Sequence, residues 1–107
     1  MTHDELIGLI IGIRGDLLMH HHPDSRRDLG DRGLPDLIIL GRNGLLFAEI
    51  KGPDGVLEKP QLKWASRLKE VDMLCSPECE RASSLWRVWQ PAHWFTGDIG
   101  KELDQLR

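Results

Sequence analysis

The sequence predicts an α/β fold in which helices flank a central mixed β-sheet. Two apolar runs within residues 35–51 flank an Asn-Gly pair, the strongest short-range signal for a β-hairpin. Both faces of these strands are apolar, so the sheet needs a cover on each side. Apolar residues recur at helical spacing in residues 2–14 and 60–72, and the two segments lie on either side of the hairpin in the chain.

The composition is that of one small domain spanning residues 1–107. Hydrophobic residues make up 40% of the chain and charged residues 29%, both ordinary values for a globular protein. No apolar run approaches the roughly 18 residues of a membrane span, and no signal peptide is evident. We therefore expect a cytoplasmic protein without a membrane partner. Cys75 and Cys79 are too few for a disulfide framework and are expected to be free thiols.

The first helix is predicted over residues 2–14. Thr2 and Glu5 have the spacing of a capping box, and Gly15 provides the stop. The predicted buried stripe comprises Leu6, Leu9, Ile10 and Ile13.

Residues 16–22 form a candidate strand, followed by a polar segment, residues 23–34, without periodicity. That segment carries Arg26, Arg27 and Arg32 just ahead of the hairpin, a position that favours contact with phosphate groups. The alternative is a solvated, charged loop.

The hairpin has a predicted register that brings three charged residues together. If Asn43 and Gly44 are the loop residues of a type I′ turn, Asp36 faces Lys51 and Glu49 lies one diagonal away. Side chains alternate between faces, so all three emerge on one side at the open end. Opposed Cβ atoms lie about 5 Å apart and diagonal ones about 7 Å, so both carboxylates can reach one cation.

The second helix is predicted over residues 60–72, because Pro60 suits the first helical position. Its buried stripe comprises Gln61, Trp64, Ala65, Leu68 and Val71. Residues 85–90 then read as a strand that Pro91 stops. The spacing of Ile99, Leu103 and Leu106 predicts a terminal helix.

The hairpin residues match a known pattern. Pro35-Asp36, twelve residues, then Glu49-Ile50-Lys51 resembles the PD-(D/E)xK nuclease superfamily. The longer run from Gly33 through Pro53 to Gln61 resembles its VRR-NUC (virus-type replication-repair nuclease) family, in the stand-alone phage-like form. Trp-Gln-Pro at residues 89–91 departs from the family's frequent Trp-Arg-Pro. The resemblance implies a restriction-endonuclease-like core with the order αβββαβ.

The resemblance also implies a Mg²⁺- or Mn²⁺-dependent endonuclease that hydrolyses phosphodiester bonds and leaves a 5′-phosphate and a 3′-hydroxyl. Asp36, Glu49 and the backbone carbonyl of Ile50 offer the hard oxygen ligands that these ions prefer. Lys51 can polarise the attacking water as a cation, or act as a base if desolvation lowers its pKa. The adjacent carboxylates oppose that fall and favour the electrostatic role.

Two further residues take roles from the resemblance. The family has a glutamine at the place of Gln61, where it would orient a carboxylate or a water. It also carries an acidic residue in its first helix that points to the metal site, and Glu5 matches it. The capping box offers Glu5 a structural role as well, and both readings remain open.

The resemblance to stand-alone members of this family also implies a homodimer that acts on branched DNA such as four-way junctions. Lys59 and Lys63 are candidates for contact with its phosphates, with a solvated helix face as the alternative. The net charge of −3 is compatible with DNA binding, because bound cations neutralise acidic site residues. We expect no small-molecule cofactor, and a host-cytoplasmic location if the protein is phage-encoded.

Three alternatives remain open at this point. The chain could be a DNA-binding module that keeps the fold without catalysis, or the same residues could cut RNA. A zinc-binding structural protein is the third, and its candidate ligands are His20, His22, Cys75 and Cys79.

Overall fold

The structure is a computed structural model that describes residues 1–23, 30–73 and 86–107. The elements are α1 (His3–Ile13), β1 (Met19–His21), β2 (Leu37–Gly41), β3 (Gly44–Ile50), α2 (Lys59–Met73), β4 (Trp86–Trp89), α3 (Pro91–Phe95) and α4 (Asp98–Leu106). The strands form one sheet in the order β1-β2-β3-β4, antiparallel except for the parallel pair β3 and β4. The predicted mixed sheet with flanking helices is therefore confirmed. Within the described ranges, no helix is long and apolar enough to cross a bilayer.

The hydrophobic core covers one face of the sheet. Its strand residues alternate along β2 and β3, and α1 and α4 pack on them. The fully buried members include Leu6, Ile10, Leu37, Ile39, Leu46, Ala48, Ile50, Ile99, Leu103 and Leu106. Glu102 of α4 accepts hydrogen bonds from Arg87 and from the Trp89 indole of β4, at 2.8 and 2.9 Å. Because side chains alternate, Asp36, Glu49 and Lys51 point to the opposite face.

The helix α2 lies on that opposite face and contacts β4. Ala65 and Leu68 are buried among the α2 side chains that the structure describes, and the Lys69 ammonium lies 4.9 Å from the centroid of the Trp86 ring. The predicted buried stripe is only partly correct, since Val71 is 53% exposed and Trp64 half-buried.

The predicted hairpin register is wrong by two residues. Gly41 pairs with Gly44 and Leu37 with Ala48, so Arg42 and Asn43 form the loop. A type I′ turn is also excluded, because no non-glycine residue of the described segments has a positive φ. A shift of two residues keeps every side chain on its predicted face and moves Asp36 from opposite Lys51 to the level of Glu49.

The helix α4 explains this register. The Asn43 N–H donates to the carbonyl oxygen of Leu106 at 3.0 Å, so the end of α4 docks on the turn. A Cβ atom at Gly41 would overlap that same carbonyl oxygen, and one at Gly44 would lie 3.1 Å from the Leu106 side chain. Arg107 donates to the Ile13 and Arg14 carbonyls at 2.7 and 3.1 Å and fixes the helix end to α1. A non-local contact thus overrides the local preference of Asn-Gly.

Three smaller predictions are corrected as well. In α1 the buried residues are Leu6, Ile7 and Ile10, while Leu9 and Ile13 are 39% and 40% exposed. The strand β1 has only three residues, with Leu18 buried just before it. Pro91 begins the short helix α3 as well as ending β4, as its favourable place at a helix start allows.

We expect Gly41→Ala to destabilise the protein by about 1–3 kcal/mol, since the added methyl group must displace the end of α4. The matched control is Gly100→Ala in α4, where an added Cβ would meet nothing within 4 Å. Alanine should stabilise that helical position by about 0.5–1 kcal/mol. Urea unfolding measures both, and equal stability of the two variants would contradict the docking account.

Candidate active site

Two carboxyl groups meet at the open end of the hairpin. Asp36 directly precedes β2, and Glu49 is the penultimate residue of β3 with only 3% of its surface exposed. The carboxyl groups are close enough for Asp36 to raise the pKa of Glu49. The Ile50 N–H donates to Asp36 Oδ2 at 2.8 Å, so the strand backbone fixes the position of the aspartate.

Lys51 stands beside this pair. Its Nζ lies 3.9 Å from Glu49 Oε1, and its side chain is only 17% exposed. The turn after β3, closed by a hydrogen bond from the Gly55 N–H to the Gly52 carbonyl, packs on the lysine stem. A Cβ at Gly55 would lie 2.9 Å from that of Lys51, so a residue without a side chain lets the turn hold the lysine in place.

Gln61 orients Glu49 from the first turn of α2. Its Nε2 donates to Glu49 Oε1 at 3.0 Å, and its own Oε1 accepts from the Glu58 N–H at 2.8 Å. Because the amide oxygen already has a donor, the NH₂ group must face the carboxyl group.

Burial, and after it the neighbouring carboxyl group of Asp36, raise the pKa of Glu49 to about 8, while the positive charge of Lys51 acts in the opposite direction. This raised pKa favours the protonated form of Glu49 at neutral pH when no cation is bound. A divalent cation can replace that proton, since metal binding to such a site releases protons.

The donor set fits a hard cation. Asp36 Oδ2 and Glu49 Oε1 accept from protein N–H groups, whereas no N–H group in the described residues donates to Asp36 Oδ1 or Glu49 Oε2. Those two oxygens are left for an ion. No three His, Cys, Asp or Glu side chains of the described ranges cluster as metal ligands, so backbone oxygen and water must complete the coordination of an ion here. The carbonyl of Ile50 remains a predicted ligand.

His3 is a site residue that the sequence analysis did not assign. Its Nε2 lies 3.2 Å from Asp36 Oδ2, and its Nδ1 lies 3.3 Å from Asp4 Oδ1. The signal was available, because His3 shares a helical face with Leu6, Ile7 and Ile10 and therefore faces the sheet.

Glu5 is not brought to the carboxyl pair. It is exposed, and it lies about 200° around the helix from His3, on the side of Leu9. Its N–H donates to Thr2 Oγ1 at 3.1 Å, which is the predicted N-cap of α1. A catalytic role for Glu5 stays a prediction.

Comparison with protein families, curated proteins and solved structures found no match. The function of this protein is therefore inferred from the geometry around Asp36 and Glu49.

The structure gathers three of the five predicted DNA-contacting residues. Arg32, Lys59 and Lys63 line a shallow depression beside α2. Arg26 and Arg27 lie outside the described residues, as do Cys75 and Cys79 of the zinc hypothesis. Of the two histidines in the zinc hypothesis, His22 is exposed and His20 is half-buried. Burial, together with the charge of Arg14, lowers the pKa of His20.

Glu49→Gln should make the metal-free protein more stable above pH 8. The folded-state pKa of about 8 exceeds the ordinary 4.5, so the stabilisation from the protonated group is complete below pH 4.5 and is lost as the pH rises through about 8. Glutamine keeps a donor toward Asp36 and cannot ionise. Thermal unfolding in EDTA from pH 4 to 9 measures the effect.

The matched control is Glu70→Gln, which replaces an exposed carboxylate of α2. It should follow the wild-type pH dependence. The same pH dependence of thermal stability in Glu49→Gln and wild type would contradict the assignment of the raised pKa.

Mg²⁺ or Mn²⁺ should raise the thermal stability of wild type and leave that of Glu49→Gln unchanged.

Proposed function

We propose that this protein is a Mg²⁺- or Mn²⁺-dependent endodeoxyribonuclease that hydrolyses phosphodiester bonds. The observation that carries the proposal is the buried Glu49 beside Asp36, with the Lys51 ammonium 3.9 Å from Glu49. Burying Glu49 beside the half-buried Asp36 at the end of a sheet is unfavourable in itself. A cation bound by both acids would offset this cost, and a phosphate group could then bind the cation and Lys51.

The residues at the open end of the hairpin and Gln61 each have a role in this proposal. Asp36, Glu49 and the Ile50 carbonyl would hold the ion, which when bound supplies a more acidic water and neutralises charge on the phosphate. Lys51 holds the attacking water or a phosphate oxygen by its positive charge. Gln61 keeps Glu49 in its orientation through the 3.0 Å hydrogen bond.

The reaction needs no further reagent. The water oxygen forms a bond to phosphorus while the bond from phosphorus to the 3′ oxygen breaks. The proton lost by the attacking water passes to solvent, and the departing 3′ oxygen takes one up. The products are a 5′-phosphate and a 3′-hydroxyl.

The fold supports a finer proposal. The order α-β-β-β-α-β from α1 to β4 is the order implied by the resemblance to the VRR-NUC family. We extend the proposal to a restriction-endonuclease-like core acting on branched DNA in the cytoplasm, or in a host cytoplasm for a phage protein. A homodimer would present two sites to two strands, which suits recognition of DNA shape.

Lys51→Ala and Asp36→Asn should each lower cleavage by about 10²-fold or more, since each removes charge from the reacting centre. Labelled single-strand, duplex, flap and four-way-junction DNAs with Mn²⁺ provide the assay, with RNA strands alongside. Lys101→Ala, at an exposed position of α4, is the matched control and should cleave as wild type does. Binding of all substrates without cleavage by wild type would favour the non-catalytic module.

Gln61→Ala should raise the Mn²⁺ concentration needed for half-maximal cleavage by about 10- to 100-fold, because Glu49 loses its orienting donor. Gln105→Ala removes an exposed glutamine of α4 and is the matched control. A lower maximal rate at unchanged metal dependence would instead assign Gln61 to the attacking water.

A further inference from the structure

A groove runs along α2 next to the carboxyl pair. Two adjoining depressions of about 330 and about 320 Å³ share Asp31, Arg32 and Lys63 as lining residues. The larger one is also lined by Trp64 and Arg67, and the smaller one by Lys59 and Pro60. One wall is thus aromatic, and its surroundings are mainly basic.

The groove is held open by two contacts between the loop ahead of β2 and α2. Gly33 has a φ of 94° and packs so closely that a Cβ there would overlap the backbone of Pro60. The Trp64 indole N–H donates to the Arg32 carbonyl at 2.9 Å. The edge of the indole is therefore tied to the loop, and its half-buried ring forms the wall in a fixed orientation.

Its charge is complementary to a nucleic-acid strand. Lys59, Lys63 and Arg67 follow one another at intervals of four residues and share a face of α2. Arg32 joins them from the loop, all four are exposed, and Asp31 is the acidic residue among the described residues that line the two depressions. Arg67 also lies 3.4 Å from the exposed Glu70, a type of pair that contributes little and leaves the guanidinium accessible.

We propose that this groove binds an unpaired nucleotide of single-stranded DNA. The base stacks on Trp64, and Arg32, Lys63 and their neighbours contact the flanking phosphates. Aromatic rings within a basic groove bind single strands in this way without reading their sequence. The assignment of a biological substrate to this groove rests on the proposed nuclease function. It specifies that substrate as branched DNA with an unpaired segment beside the scissile bond.

The groove and the carboxyl pair are close enough to contact one strand. Arg32 and Asp36 are four residues apart, which limits their separation to about 14 Å. Gln61, which donates to Glu49, precedes Trp64 by less than one helical turn. A strand that leaves the carboxyl pair along α2 therefore passes the indole.

Fluorescence anisotropy in EDTA tests base binding separately from cleavage. The probes are a labelled oligothymidylate of 12 nucleotides, the same strand with abasic sites in its centre, and a duplex of equal length. Wild type should bind the intact strand about five- to tenfold more tightly than the abasic strand, and more tightly than the duplex.

Two kinds of variant separate stacking from charge. Trp64→Leu should lose the preference for the intact strand, whereas Trp64→Phe keeps an aromatic ring and should retain part of it. The double variant Lys63→Ala/Arg67→Ala should weaken binding of both strands equally. The slope of the logarithm of the binding constant against the logarithm of salt concentration should become shallower by about 0.7 for each lost phosphate contact. Lys101→Ala should change neither quantity, and thermal unfolding verifies that each variant is folded.

Equal binding of intact and abasic strands by wild type would overturn the proposal, as would an unchanged preference in folded Trp64→Leu. Duplex bound more tightly than single strand would also overturn it. Cleavage with Mn²⁺ in the absence of any base preference would refute only the groove. A base preference that depends on Trp64, without cleavage of any substrate, would refute only the nuclease function.

Discussion

The hydrogen bond from the Ile50 N–H to the Asp36 carboxylate is the contact on which the candidate site depends. Asp36 stands just before the first paired residue of β2, where the strand pairing no longer holds the chain. Its side chain accepts from the backbone of β3 and so continues the connection between the strands. The carboxylate is thereby fixed beside Glu49, and His3 approaches the same oxygen from α1. One acceptor thus joins the hairpin, the first helix and the acidic pair.

The buried position of Glu49 makes its ionised form unfavourable. Its position behind Gln61 and beneath α2 excludes water, and the pKa rises to about 8 even though Lys51 stands beside it. Burial and the neighbouring acid therefore outweigh the attraction of the ammonium group. In the metal-free protein the raised pKa favours a protonated Glu49. If the proposed divalent cation binds, its charge would replace that proton, so metal binding would be coupled to proton release.

Close backbone packing connects the acidic pair to the basic groove. Gly33 lies on the start of α2 and Gly55 on the stem of Lys51, and a Cβ at either position would meet its neighbour at less than van der Waals distance. The first contact sets the loop that carries Arg32, and the second holds the lysine. Because α2 carries both Gln61 and Trp64, its placement on the sheet determines the orientation of Glu49 and the position of the groove together.

The features that depend on local periodicity could be predicted from the sequence. The alternation of a strand places Asp36, Glu49 and Lys51 on one face in any register that differs by an even number of residues, so the convergence survived an error of two. The N-cap Thr2, the mixed sheet and the position of Gln61 in the first turn of α2 follow from spacing in the same way.

The hairpin register and the partners of His3 and Trp64 depend on tertiary contacts. The register depends on a carbonyl of Leu106 that lies more than sixty residues from the turn, His3 reaches Asp36 across 33 positions, and Trp64 is anchored to Arg32 across 32. Such contacts depend on how whole elements pack. Helical spacing could place His3 on the buried face of α1, but it could not identify Asp36 as its partner.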